Sequence, residues 1–260
     1  MTPGLCPAFY FVGLGMKERL RAAGVHLSGS LLLAFSSLFL VFYVWYPSPY
    51  AQATGVVSIF VMLLFVDVVL GPLLTFVVYN TAKVSLKFDL SVIVGLQLVA
   101  FLYGLWSVGA ARPAWIVFNA DRFDLVQAHA LDERDLDKVP LEYRNSPLWG
   151  AKWVSSYPPA DVDLNNKITV EAVFSGLDIA QRPLLYKPLS EAHKDMLRRL
   201  RPMDELTLFN SRDEVESVLR RWPDAGGWLP MKASVRSMVV LIDRRNMDVL
   251  AVVNLRPWDE

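Results

Sequence analysis

The stretch GVVSIFVMLLFVDVVLGPLLTFVVY, residues 55–79, decides the fold. Asp67 is its single charged side chain. About 20 apolar residues suffice for a helix to cross a hydrocarbon core of roughly 30 Å, so this run reads as a membrane span rather than as the core helix of a water-soluble domain. Upstream, SGSLLLAFSSLFLVFYVWY (28–46) is free of charge and ends in Tyr43, Trp45 and Tyr46 ahead of Pro47 and Pro49. That ending suits an aromatic belt followed by a turn at the membrane interface. Downstream, residues 90–108 form a third apolar run in which Gln97 is the strongly polar exception.

The charges divide the chain in the same way. Lys+Arg 26 balance Asp+Glu 26 over 260 residues, so the net charge of +0 argues against nucleic acid as an electrostatic partner. Residues 1–111 hold five bases (Lys17, Arg19, Arg21, Lys83, Lys87) and three acids (Glu18, Asp67, Asp89). The other 21 bases and 23 acids lie in 112–260, a density typical of soluble domains. The mean hydropathy of +0.32 therefore belongs to the first part. Basic residues near span ends stay on the cytoplasmic side, and here they precede span one and separate spans two and three. This predicts a cytoplasmic N-terminus, a bacterial inner-membrane location and a periplasmic C-terminal domain. The expected organisation is a cytoplasmic segment 1–27, a three-helix transmembrane region 28–111 (spans 28–46, 55–79 and 90–108) and a soluble domain 112–260.

Residues 1–15 resemble neither a span nor a signal peptide, lacking a basic n-region, which suggests Met16 as the true start. Cys6, the one cysteine, falls in that segment, so no disulfide forms within the chain.

The soluble part reads as α+β. Trp115 and Val117, then Phe123, Leu125 and Val126, suggest two strands around a turn at 119–122; 152–157 suggests another. Residues 131–138 read as a short charged helix. Further helices are expected at 164–175, 191–200 with Ser190 as its cap, and 212–221, where Ser211 and Glu214 form a capping-box pattern. Residues 234–242 and 249–255 read as a C-terminal antiparallel β-hairpin, with Gly226-Gly227 as a turn before it. The fold class is a membrane protein of three transmembrane helices followed by an α+β domain.

Catalytic and metal-site patterns are missing. His26, His129 and His193 are far apart and read as surface or interfacial histidines; no nucleophile elbow, Walker loop or dinucleotide fingerprint occurs. Asp161 and Asp163 evoke a metal-dependent transferase, but their position before Leu164-Asn165-Asn166 reads as helix capping. No catalytic residue, metal or cofactor is assigned. Asp67 stands apart, because a carboxylate within a span is costly and generally faces a protein interior or a partner. Gly71-Pro72, four residues on, permits a kink and the close approach of another helix. Two readings stay open: a protonated Asp67 hydrogen-bonded within the bundle, with Gln97 as one candidate partner, or Asp67 meeting a polar or positive group on a partner's transmembrane helix.

The segments VDVVLGPLLTFVVYN (66–80), Lys83, SLKFDL (85–90), Gln97, Tyr103-Gly104, Arg112-Pro113, Asp121-Arg122-Phe123 and the terminal NLRPW (254–258) resemble the type IV pilin accessory proteins, the TfpX/TfpZ-like family. The resemblance covers 16–258. It implies a non-enzymatic inner-membrane protein that assists pilin assembly, stability or surface display. Pilins wait in the inner membrane as single-helix subunits with a polar amine and a carboxylate near the N-terminus. On that basis the candidate partner-binding residues are Asp67, Gly71, Pro72 and Gln97, and the expected partners are a type IV pilin subunit and the lipid bilayer. A pilin-modifying group-transfer enzyme is the first alternative. A membrane sensor with an external ligand-binding domain is the second.

Overall fold

The computed structural model describes residues 7–259, with side chains from residue 15. Cys6 lies outside the described residues. In chain order, helix α1 (Pro7–Phe39) runs into a π-helical turn (Leu40–Trp45), a short helix α2 (Tyr50–Thr54) follows, and α3 (Val56–Phe65) continues through a second π-helical turn (Val66–Leu70) into α4 (Gly71–Val78); α5 is Leu86–Ala110. Among the described residues three helical stretches are long and apolar enough to cross a membrane: Gly15–Trp45, Val56–Val78 and Leu86–Ala110. The first begins well before the charge-free run that marks it in sequence. Lys17, Glu18, Arg19 and Arg21 are helix formers and can stay helical in water, so hydropathy locates the lipid-facing part and not the helix end.

The chain forms two compact units. One comprises residues 1–41 and 56–109, in which α1 packs along α4 and the π-turn before it. The buried side of α1 is a stripe of small residues, Ser30, Ala34 and Ser37, which allows this close approach. The other unit comprises residues 42–55 and 110–260. The connector after the first span is thus more than a turn. Ala53 is wholly buried in the core of this unit, its carbonyl accepts hydrogen bonds from the backbone N–H groups of Val235 and Arg236 (both 3.0 Å), and Asn254 Nδ2 donates to Gln52 Oε1 (2.8 Å).

Seven strands make one mixed sheet in the order β4-β3-β1-β2-β5-β6-β7. They are β1 (Pro113–Asn119), β2 (Arg122–Gln127), β3 (Lys152–Ser156), β4 (Tyr186–Pro188), β5 (Gly227–Lys232), β6 (Met238–Ile242) and β7 (Val249–Val253). The hairpin β1–β2 and the C-terminal hairpin β6–β7 are antiparallel as expected, while β1 with β3 and β2 with β5 are parallel. Alternate residues of the central strands feed opposite faces. Ile116, Phe118, Met238, Val240 and Ile242 pack into one core with Ala53 and Met196. Trp115 and Val117 pack with Tyr143 and Tyr186 on the other face, and Val239 and Leu241 with Trp228 and Leu206.

Besides α2, this unit holds the helices α6 (Leu141–Arg144), α7 (Val162–Ser175), α8 (His193–Arg199) and α9 (Arg212–Arg221). Asp161 caps α7, its Oδ1 accepting from the N–H groups of Asp163 (2.9 Å) and Leu164 (3.1 Å), and Ser211 with Glu214 forms the expected capping box on α9. Two expectations need correction. The segment 131–138 is not an α-helix: a bend and turn over 131–135, with Asp135 in the left-handed region (φ 57°), lead from a 3-10 turn at Ala128–Ala130 to another at Leu136–Lys138. The helix expected at 191–200 covers His193–Arg199 alone; a 3-10 turn, Leu189–Ala192, precedes it, so Ser190 lies one turn too early to cap.

Ion pairs hold 131–138 in place of helical hydrogen bonds. Asp132 and Glu171 are each gripped by two guanidinium groups: Arg182 reaches Asp132 Oδ2 (3.2 Å) and Glu171 Oε2 (2.5 Å), and Arg134 reaches Asp132 Oδ1 and Glu171 Oε2 (both 2.8 Å). Hydrogen bonds from Arg134 and Arg182 hold the Glu171 carboxyl down at about 2, and Arg134 depresses Asp132 in the same direction. A carboxylate whose folded pKa is depressed contributes stability that is complete above its unfolded value and lost as pH falls through the folded one. The melting temperature of the domain is therefore expected to fall as pH drops from about 4.5 towards 2, and Glu171→Gln should flatten that slope.

Candidate functional site

Pro72 explains the irregular middle of the second span. It has no N–H to offer the carbonyl of Val68, and the preceding π-turn adjusts the backbone so that Gly71 N–H bonds the carbonyl of Val66 instead. This turn carries Asp67 inward, where it is 5% exposed. Asp67, Gly71 and Thr75, spaced four apart, lie along one buried stripe of the second span.

Helix α5 meets that stripe edge-on. A Cβ at Gly71 would overlap the Gln97 carboxamide, and one at Gly104 would overlap the Leu63 methyl groups, so the side chains of Gln97 and Leu63 lie directly over these two glycines. Gln97 Nε2 lies 3.5 Å from the carbonyls of Val66 and Asp67. The structure thus brings Asp67, Gly71, Pro72 and Gln97 together, with Gln97 bridging to the backbone of the π-turn. Gly71→Ala is expected to swing the flexible Gln97 carboxamide off the π-turn into the adjoining space while leaving the unfolding temperature of the full chain in detergent little changed, because only the end of a mobile side chain must move.

A cavity of about 780 Å³ opens between α1, α4 and α5. It runs from Ser30, Asp67 and Gln97 to Glu18, Arg21 and Tyr79, with walls that include Leu33, Val94, Leu98 and Phe101. His26 lines it, its Nδ1 2.6 Å from Thr75 Oγ1, so this histidine sits half-buried against the second span, the interfacial of its two expected settings. Neither His26 nor Thr75 stands out in the sequence; the one available signal is the spacing of Thr75 eight residues after Asp67. Asp67 Oδ2 and Gln97 Oε1 are buried and lack a hydrogen-bond partner among the described residues. Such groups in an apolar setting cost free energy until something donates to them. The arrangement can therefore accept a cation or a hydrogen-bond donor carried on an apolar body. By contrast, the carboxylates of Asp132 and Glu171 are already occupied by arginines, and among the described residues no cluster of histidine, cysteine or acidic side chains could hold a metal.

The fold and site define a membrane protein with three spanning helices, a largely apolar cavity between them that Asp67 lines, and an α+β domain. Residues 15–55 match the family model described as fimbrial assembly protein FimB. Two fimbrial assembly proteins of Dichelobacter nodosus, from serogroups I and E1, are each 30% identical over 250 residues, spanning 92% of this chain and 96% of theirs. A third, from serogroups C1 and C2, is 40% identical over 104 residues, 39% of this chain and 79% of that protein. No solved structure matches. The chain belongs to the fimbrial assembly proteins, in accord with the resemblance to the type IV pilin accessory family.

Proposed function

We propose that this chain assists pilus assembly from the inner membrane, without chemistry of its own, by holding the transmembrane helix of a pilin subunit at the cavity beside Asp67. The observation that carries the reading is a carboxyl, Asp67, buried within the second span and lining a cavity, in a chain of this family. At about 780 Å³ the cavity matches roughly two turns of a helix about 10 Å across. A carboxylate there favours a positive group, and the N-terminal ammonium of a membrane-resident subunit is the natural counterpart. Gly71, Pro72 and Gln97 position the carboxylate. The bases at 17–21 and at Lys83 and Lys87 favour a cytoplasmic N-terminus, which puts the α+β domain in the periplasm, within reach of the subunit's head.

Co-purification of pilin with the full chain from solubilised membranes tests the reading, together with the mass of pilin from cells with and without it. The proposal expects co-purification and an unchanged mass. A mass shift would favour a group-transfer enzyme instead.

A further inference from the structure

The loop between α6 and β3 presents two large apolar side chains to its surroundings, Leu148 (64% exposed) and Trp149 (77% exposed). The loop is fixed at both ends of this tip. Gly150 N–H donates to the carbonyl of Val44 (3.1 Å), in the last turn of the first membrane-length helix, and Arg112, two residues beyond the third, donates from Nε to the carbonyl of Pro147 (3.0 Å) and from Nη2 to that of Ser146 (3.4 Å). All of these residues belong to the same compact unit. Gly150 adopts φ +64°, a left-handed conformation that suits glycine, and this lets the chain turn sharply from the tip into β3.

A loop tied to the ends of two spanning helices is held at the depth where those helices leave the hydrocarbon. Tryptophan favours that layer, where its ring meets acyl chains and its N–H meets headgroups. We propose that Leu148 and Trp149 insert into the membrane interface on the C-terminal side, so that the α+β domain contacts lipid through this loop in addition to its covalent attachments. The occupant is the bilayer that the adjoining helices already cross.

The test uses the full chain with Cys6→Ser, a single cysteine placed at 148 or 149, and a nitroxide label, reconstituted in phosphatidylethanolamine–phosphatidylglycerol nanodiscs. Labels at Ile59, inside the second span, and at Arg220, exposed on α9, serve as references. The expected result is an oxygen-to-nickel-chelate accessibility ratio at both loop positions several-fold above that of Arg220 and approaching that of Ile59. A ratio equal to that of Arg220 would overturn the proposal. So would protection from both reagents, the pattern of burial against a second copy or another protein.

Discussion

Replacing Asp67 with asparagine is expected to reduce pilin co-purification by about 10- to 100-fold and to cut surface piliation in parallel. The substitution keeps the volume that packs beside Gly71 and Gln97, so the bundle should assemble normally. What it removes is the carboxylate's charge, and a hydrogen bond to a charged group contributes about 1.5–3 kcal/mol, with each 1.4 kcal/mol a factor of ten in affinity. The asparagine carboxamide can still accept a hydrogen bond, so loss of binding in this variant would identify charge as the recognised feature. Unchanged co-purification and piliation would remove Asp67 from the mechanism.

The second large effect concerns the domain. Arg182 is 12% exposed and joins Asp132 to Glu171, so it fastens the irregular 131–138 segment to α7. Arg182→Ala is expected to destabilise the domain by about 2 kcal/mol, between a surface ion pair and a fully buried one, because its partners are half-buried and Arg134 still grips both carboxylates from the solvent side. At about 2–4 °C per kcal/mol for a domain of this size, its melting temperature in the full chain should fall by roughly 4–8 °C. Arg134→Ala, at a side chain 53% exposed, should lower the melting temperature far less, because a solvent-screened ion pair contributes little. Equal effects at the two arginines would contradict this account of the network.

These residues also show what could be read in advance. The three spans follow from composition alone, because a run such as 55–79 has no alternative in water. Asp67 was visible as the one acid within a span, and Gly71-Pro72 as a distortion beside it. The cavity was not visible, since it depends on how α1 is rotated against α4, and nothing local in the sequence places His26 beside Thr75. In the domain, the capping box at Ser211 and Glu214, the Asp161 cap and the terminal hairpin carry local signals and are legible. Strand β5 was not, because Gly227 and Pro230 disfavour a strand, yet Pro230 sits in register with Val239 at the centre of the sheet, where burial between neighbours overrides propensity. Residues 131–138 read as a helix because charged helix formers dominate them, whereas their side chains are committed to long-range ion pairs. The connector at 47–54 looked like a plain turn for a related reason: the partners of Ala53, Val235 and Arg236, lie some 180 residues away.

The central claim, that a pilin helix occupies the cavity beside Asp67, is tested most directly by photo-crosslinking from α5 in cells that express a type IV pilin. Val94 and Leu98 line the cavity, whereas Leu96 and Val99 are exposed on the other side of the same helix. Crosslinks to pilin from positions 94 and 98, lost with Asp67→Asn and absent at 96 and 99, are the predicted result. Crosslinks from 96 and 99 with none from 94 and 98 would place the subunit elsewhere and contradict the account.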